Sequence, residues 1–274
     1  FSILKYMKKN VLYFYIAGFL IKLKFAPTQG KNPVNNIREK INNIYAGFIV
    51  KGQRGKKCLT EINFLPSAPY VFQKKLKLPY FTLAFYHVKN NKVFTYLHIS
   101  INHFITLLLR VVQNALLKNN GFFLHCSAVE IDGKAHVFVG PSGAGKSTIL
   151  NLTRRQSIPL VDESGIIIKE NNSFYFYQSP VVEKYKWIKK TFKRYPIESI
   201  YFLRKAKDCR LIQLKNNNKI ITLISAQTWS LEKDMRSQIK TIMNFVKSNP
   251  RFYLLYFAKN EEKICELLKI NNSA

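Results

Sequence analysis

A chain of 274 residues, 47% hydrophobic and 14% aromatic, has enough apolar surface to bury a core and suits one large globular domain or two small ones. Its 44 Lys+Arg against 15 Asp+Glu give a formal charge of +29, which raises nucleic acid, anionic lipid or an acidic protein as partners. The lysines are scattered beside asparagines, as in Lys89-Asn90-Asn91-Lys92 and Lys215-Asn216-Asn217-Asn218-Lys219, the pattern of solvated faces and turns. Cys58, Cys126, Cys209 and Cys265 stand far apart with no CxxC pair, which signals neither a zinc site nor a disulfide framework and fits a reducing, cytoplasmic compartment.

The chain begins with Phe1 rather than Met, which weakens any argument about a signal peptide. The apolar stretch 11–21 falls short of the about twenty residues a bilayer span needs and runs into Lys22 and Lys24. It reads as a buried strand pair, with 13–25 kinked at Gly18 and alternating Leu20, Lys22, Lys24 against Ile21, Leu23, Phe25. Residues 26–36 read as a loop, and 37–49 as the start of a helix. Strands are expected at 59–65, 80–88 and 93–99. Asn102 is the expected cap of a helix through Leu107, Leu108, Val111, Val112, Ala115 and Leu116, ended by the Asn119-Asn120-Gly121 turn. Residues 1–120 thus form a strand-rich segment with a helix near 102–118.

A second domain, 121–274, begins with a strand at 122–129, a tight turn at Asp132-Gly133 and a strand at 135–139. A helix over 147–155, a short buried strand at 158–161 and a hairpin of 165–169 with 174–177 follow. Further strands are expected at 199–203, 210–214 and 252–257, with helices at 230–248 and 261–270.

Between the strand at 135–139 and the next helix stands Gly140-Pro141-Ser142-Gly143-Ala144-Gly145-Lys146-Ser147-Thr148. Gly140, Gly143 and Gly145 let the backbone wrap a phosphate chain with its N–H groups inward. The helix adds its positive end, Lys146 a mobile cation for the β and γ phosphates, and the Ser147 hydroxyl a magnesium ligand. A strand before and a helix after make GxxxxGK[ST] specific, so a nucleoside triphosphate with magnesium is expected to bind here. The acidic pair Asp162-Glu163 follows Lys146 by only about sixteen residues, shorter than is usual for a magnesium aspartate, and no LSGGQ-type signature appears downstream. A surface turn after a strand is the alternative account of this pair.

This arrangement resembles the catalytic domain of HPr serine kinase/phosphorylase and its kinase-like relatives, whose nucleotide fold is akin to phosphoenolpyruvate carboxykinase. The family has a histidine about fifteen residues before the loop, the place of His125 in Leu124-His125-Cys126-Ser127-Ala128-Val129, and an acidic pair, usually Asp-Asp, where Asp162-Glu163 stands. The resemblance is specific over residues 121–170 and general beyond. The amino-terminal half is similar to the segment preceding this domain in divergent relatives, with Ile16-Ala17-Gly18 in its first hairpin. Glu163 departs from the family's aspartate, and the glycine-containing signature that engages HPr is missing, so recognition of HPr is not implied.

The resemblance implies an α/β fold of α+β character with a mixed sheet, ATP and Mg2+ as cofactors, and Lys146, His125, Asp162 and Glu163 as catalytic residues. Residues Gly140 through Thr148 would hold the nucleotide, and Ser147, Asp162 and Glu163 the metal. Asp162 is assigned the base and Glu163 the second metal ligand, both delivered by a strand lying beside the one that carries the loop. His125 orients or protonates near the phosphates, or is a sheet-end histidine with a backbone partner. His87, His98, His103 and His136 read as structural, and Arg204 and Arg210 as solvated charge. The leading function is a kinase-like transfer of the γ-phosphate to a hydroxyl of a small molecule, peptide or protein. The alternative is a catalytically divergent nucleotide-binding regulatory module, and a nucleic-acid-associated ATPase rests on charge alone. Loops set acceptor specificity, so the sequence does not identify the acceptor.

Overall fold

A computed structural model of the chain describes residues 10–27, 33–52, 58–66, 85–229, 235–248 and 251–268. The fold is α/β, with two mixed sheets and six α-helices among the described residues. It divides into two compact units, Phe1–Val112 and Gln113–Ala274.

In the first unit the apolar run is a hairpin of β1 (Val11–Ile16) and β2 (Phe19–Phe25), turned by Ala17 and Gly18 at φ 48° and 83°. Helix α1 (Pro33–Tyr45) starts earlier than the sequence pattern suggested, because proline is preorganised for the first helical position. A 3₁₀ turn, Ala46–Phe48, then replaces the expected helical continuation to residue 49. β3 (Ile49–Val50), β4 (Cys58–Leu65), β5 (His87–Lys89) and β6 (Lys92–Tyr96) complete a sheet in the order β3-β1-β2-β4-β6-β5. Of the strand expected at 80–88, residues 80–84 lie outside the described residues.

Helix α2 (Ile101–Lys118) buries Phe104, Leu107, Leu108 and Val112. Its cap is Ser100, whose Oγ accepts the His103 amide at 3.2 Å, and not Asn102, which already lies in the first turn. Phe104 meets the rings of Tyr45 and Phe64 at centroid distances of 6.0 and 5.8 Å, so helix and sheet share an aromatic core.

The second unit begins with β7 (Gly121–Leu124), β8 (Cys126–Ile131) and β9 (Lys134–Val139). The single strand expected at 122–129 is broken at His125. There the Leu124–Thr228 bridge and a 2.7 Å bond from the His125 amide to the Gln227 carbonyl turn the chain from one strand row to another. Asp132 and Gly133, at φ 50° and 75°, make the primed two-residue turn that matches strand twist. Next come α3 (Lys146–Thr153), β10 (Ile158–Val161), β11 (Gly165–Glu170), β12 (Ser173–Gln178), the long β13 (Arg194–Lys205) and β14 (Arg210–Gln213). Helix α4 (Asn217–Ser225) occupies a segment whose asparagines read as a turn; Asn216 caps it by accepting the Lys219 amide at 3.1 Å. Helix α5 (Met235–Lys247), β15 (Arg251–Phe257) and α6 (Glu261–Leu267) close the unit. Residues 230–234 and 269–270, expected at helix ends, lie outside the described residues.

The strand order is β10-β8-β9-β13-β12-β11-β7, with β15 on β13 and β14 on β15. β9, β13 and β15 run parallel at the centre; their carboxyl ends gather where the glycine loop begins. β10 pairs with β8, one strand further out than expected, so the sequence reading that set it beside β9 is corrected. The reason is the β8–β9 hairpin, which already occupies that edge of β9. Ile220, Ile224, Ile242 and Phe245 of α4 and α5 cover one sheet face. Ile149 and Leu150 of α3 and Ile264 and Cys265 of α6 cover the other. Burying both faces makes the central strands almost continuously apolar, as in Val137-Phe138-Val139. Among the described residues no helix is long and apolar enough to cross a membrane.

Candidate functional site

The glycine loop follows β9 directly, and its shape is fixed by what lies beneath it. A Cβ on Gly145, whose φ is +103°, would sit 2.4 Å from Cζ of Phe257 at the end of β15. A Cβ on Gly140 would sit 2.7 Å from that of Ala144. Both positions therefore demand glycine for space, and Gly145 for conformation as well. The loop closes through the Ala144 amide on the Pro141 carbonyl at 3.1 Å, and Pro141, Ser142 and Gly143 are exposed at its crest.

Lys146 opens α3 and is buried. Its Nζ donates to the carbonyls of Gly140 at 2.7 Å and Pro141 at 3.1 Å, which folds the side chain back along the loop. Burial pulls its pKa below the usual lysine value, opposed by Cys126 and by the Glu163 and Asp162 carboxylates. The main chain at Lys146 is anchored from β8, where the buried Ser127 Oγ donates to its carbonyl at 3.1 Å.

Ser147, one residue on, donates from Oγ to Oδ2 of Asp162 at 3.0 Å. Asp162 thus reaches the loop although its strand lies two places away from β9. Its carboxylate is almost wholly buried, and Oδ1 has no hydrogen-bond partner among the described residues. Burial raises the Asp162 pKa above the usual carboxylate range; the Ser147 bond opposes the rise, and the charges of Glu163 and Glu183 add to it. A buried carboxylate oxygen with nothing to accept from, beside a serine hydroxyl, is a hard-oxygen set of the kind that suits magnesium. Among the described residues no cluster of three His, Cys, Asp or Glu could hold a metal, so a cation here would need further ligands from outside the chain.

Glu163 is half-buried. Its main-chain oxygen, rather than its carboxylate, is the atom that His125 Nδ1 approaches, at 2.8 Å. A carbonyl can only accept, so Nδ1 is the donor in this contact. His125 therefore ties the strand break at β7–β8 to the turn that bears the acidic pair. Of that pair, Asp162 and not Glu163 lies against Ser147. Arg204 and Arg210 are exposed, with the Arg210 guanidinium 4.5 Å from the Tyr256 ring centroid.

Three side chains that the sequence did not single out support this corner. Glu183, from the irregular segment between β12 and β13, accepts the Asp162 amide at Oε2 over 2.8 Å. Its other oxygen pairs with the buried Lys190 ammonium, whose pKa burial pulls down against the attraction of Glu183. Gln178 fastens the same segment by donating to the carbonyls of Leu160 and Lys189 and accepting the Thr191 amide. The one available signal was that Glu183 is the sole acid between Glu170 and Glu198 in a strongly basic stretch.

A family model described as SynChlorMet cassette protein ScmC matches residues 88–258. Among solved structures, the Hpr(Ser) kinase/phosphatase from Coxiella burnetii is similar at 11% identity and a TM-score of 0.33, over 54% of this chain and 93% of that one. No curated protein matches the sequence.

Proposed function

The chain belongs to the SynChlorMet cassette protein ScmC family, and for this member we propose an ATP-binding, magnesium-dependent kinase-like activity that transfers the γ-phosphate to a hydroxyl of a small molecule, peptide or protein. The observation that carries the reading is the contact of Ser147 with Asp162 at the mouth of a glycine loop, next to an unpartnered buried carboxylate oxygen.

In this reading the loop amides and the first turn of α3 receive the phosphates, and Lys146 leaves the Gly140 and Pro141 carbonyls to neutralise them. Ser147 and Asp162 hold magnesium, which when bound draws charge from the phosphate oxygens. The Ser147 contact supports giving Asp162 to the metal. Glu163 then takes the acceptor's proton, the reverse of the division drawn from sequence. His125 holds the Glu163 main chain in place through Nδ1.

Calorimetric titration with Mg·ATP tests the binding half: the parent is expected to bind saturably, and Lys146→Ala, folded by circular dichroism, to lose that binding. Equal affinity in the two proteins would sink the assignment. Glu163→Gln is expected to keep nucleotide affinity and to lose γ-phosphate transfer to a hydroxyl-bearing acceptor pool. A parent that binds Mg·ATP but transfers nothing points to the second reading, a nucleotide-binding regulatory module. That reading is favoured by Glu163 standing where the resembled family has an aspartate.

A further inference from the structure

At the opposite end of β9 from the glycine loop, about 20 Å away at 3.3 Å per residue, a cavity of about 230 Å³ opens on the face that α6 only partly covers. Three aromatic rings form part of its wall, beside the aliphatic side chains of Ile131, Leu211, Leu267 and Leu268. His136, Tyr201 and Tyr253, from β9, β13 and β15, stand side by side with centroid spacings of 5.9 and 5.7 Å and interplanar angles of 10° and 19°. His136 is 94% buried by its 6% exposure, and its Nδ1 lies 3.0 Å from the Tyr201 hydroxyl. Burial holds His136 near pKa 4, below its ordinary value, so the wall is neutral at physiological pH.

The rim carries both signs of charge. Glu198 sits between two cations, accepting from Lys134 at 2.8 Å on one oxygen and from Arg251 at 3.0 Å on the other. An ammonium has three N–H donors and a guanidinium five, so one carboxylate leaves most of them for a ligand. Asp132, in the β8–β9 turn, supplies a second carboxylate on the same rim.

We propose that this cavity is a second binding site, separate from the glycine loop, and that it takes a zwitterionic aromatic amino acid. The ring lies against the aromatic wall, the ligand carboxylate on the spare donors of Arg251 and Lys134, and the ammonium by Asp132. The size agrees: an apolar cavity of about 150 Å³ holds benzene, and the additional volume accommodates an amino-acid head group. A rim of two cations and two anions sums to no net charge, so it selects a ligand bearing both charges over one bearing either alone. None of these residues belongs to the nucleotide reading, which can stand or fall independently.

The test is calorimetry and proton–nitrogen NMR on the full chain with L-phenylalanine, 3-phenylpropionate and phenethylamine as probes. Phenylalanine is expected to bind saturably at one site and to shift the His136 ring resonances. Each single-charge analogue is expected to bind at least about tenfold more weakly, as loss of a charge-assisted bond implies. Arg251→Gln, at a side chain 61% exposed and so tolerant of change, is expected to weaken phenylalanine about tenfold while leaving Mg·ATP affinity unchanged. Lys134→Gln provides a second reading of the same rim. The proposal is overturned if phenylalanine shows no saturable binding, if 3-phenylpropionate or phenethylamine binds as tightly, or if neither substitution weakens it.

Discussion

Lys190→Met would remove the ammonium that faces Glu183 while keeping a side chain of similar length. The two side chains are 9% and 4% exposed, so the charge left on Glu183 could not be solvated without opening the segment between β12 and β13. Breaking a buried ion pair from one side costs about 3–5 kcal/mol for this reason. At about 2–4 °C per kcal/mol for a unit of this size, the thermal midpoint should fall on the order of 10 °C. The damage should reach the site, because Glu183 Oε2 holds the Asp162 amide and its charge already disfavours ionised Asp162. Adding Glu183→Gln removes the orphaned charge and keeps a carbonyl for the Asp162 amide. The double variant should therefore regain more than half of the lost stability, and with it affinity for Mg·ATP. Urea unfolding followed by circular dichroism, with calorimetry on each protein, measures both. The reasoning is refuted if Lys190→Met costs less than about 1 kcal/mol, the scale of an exposed pair, or if the double variant is no more stable than the single.

A folded carboxyl held above its unfolded pKa contributes stability below the unfolded value and loses it as pH rises through the folded one. Asp162, whose burial raises it, should therefore make the parent less stable than Asp162→Asn at pH 7, with the gap closing on acidification; the variant should also lose magnesium-dependent nucleotide binding. For His136 the shift has the other sign: its folded value of about 4 lies below the ordinary 6.5, chiefly through burial. Its contribution is complete above pH 6.5 and lost as pH falls towards 4, about 3 kcal/mol in all, so urea midpoints of His136→Gln should fall less steeply with acid than those of the parent. Gly145→Ala combines positive φ with a Cβ 2.4 Å from Phe257 and should cost about 1–3 kcal/mol and impair Mg·ATP binding. Phe257→Leu in the same chain should restore only part of the loss, since the backbone strain remains; full recovery would show that crowding alone fixes the loop.

Local chemistry was legible from sequence wherever it acts within a few residues. Asp132, Gly133 and Asn171 specify turns because only certain residues accept their positive φ, and the 165–178 hairpin was read within a residue, whereas the strand entering Asp132 was read as continuous with β7. The glycine spacing between a strand and a helix set the loop's conformation in the same way, with Gly143 and Gly145 at positive φ. What could not be read were partners distant in the chain. The break at His125 depends on Gln227, and Gly145 is confined by Phe257. The Asp162 amide is held by Glu183, whose charge in turn needs Lys190. Strand order was equally hidden: alternation says which face of β10 is apolar, but pairing with β8 rather than β9 follows from which edge a hairpin leaves open. Sequence determined the loop's backbone conformation through its glycines; the tertiary structure alone chose Asp162 over Glu163 for Ser147, because that choice depends on where two strands end in space.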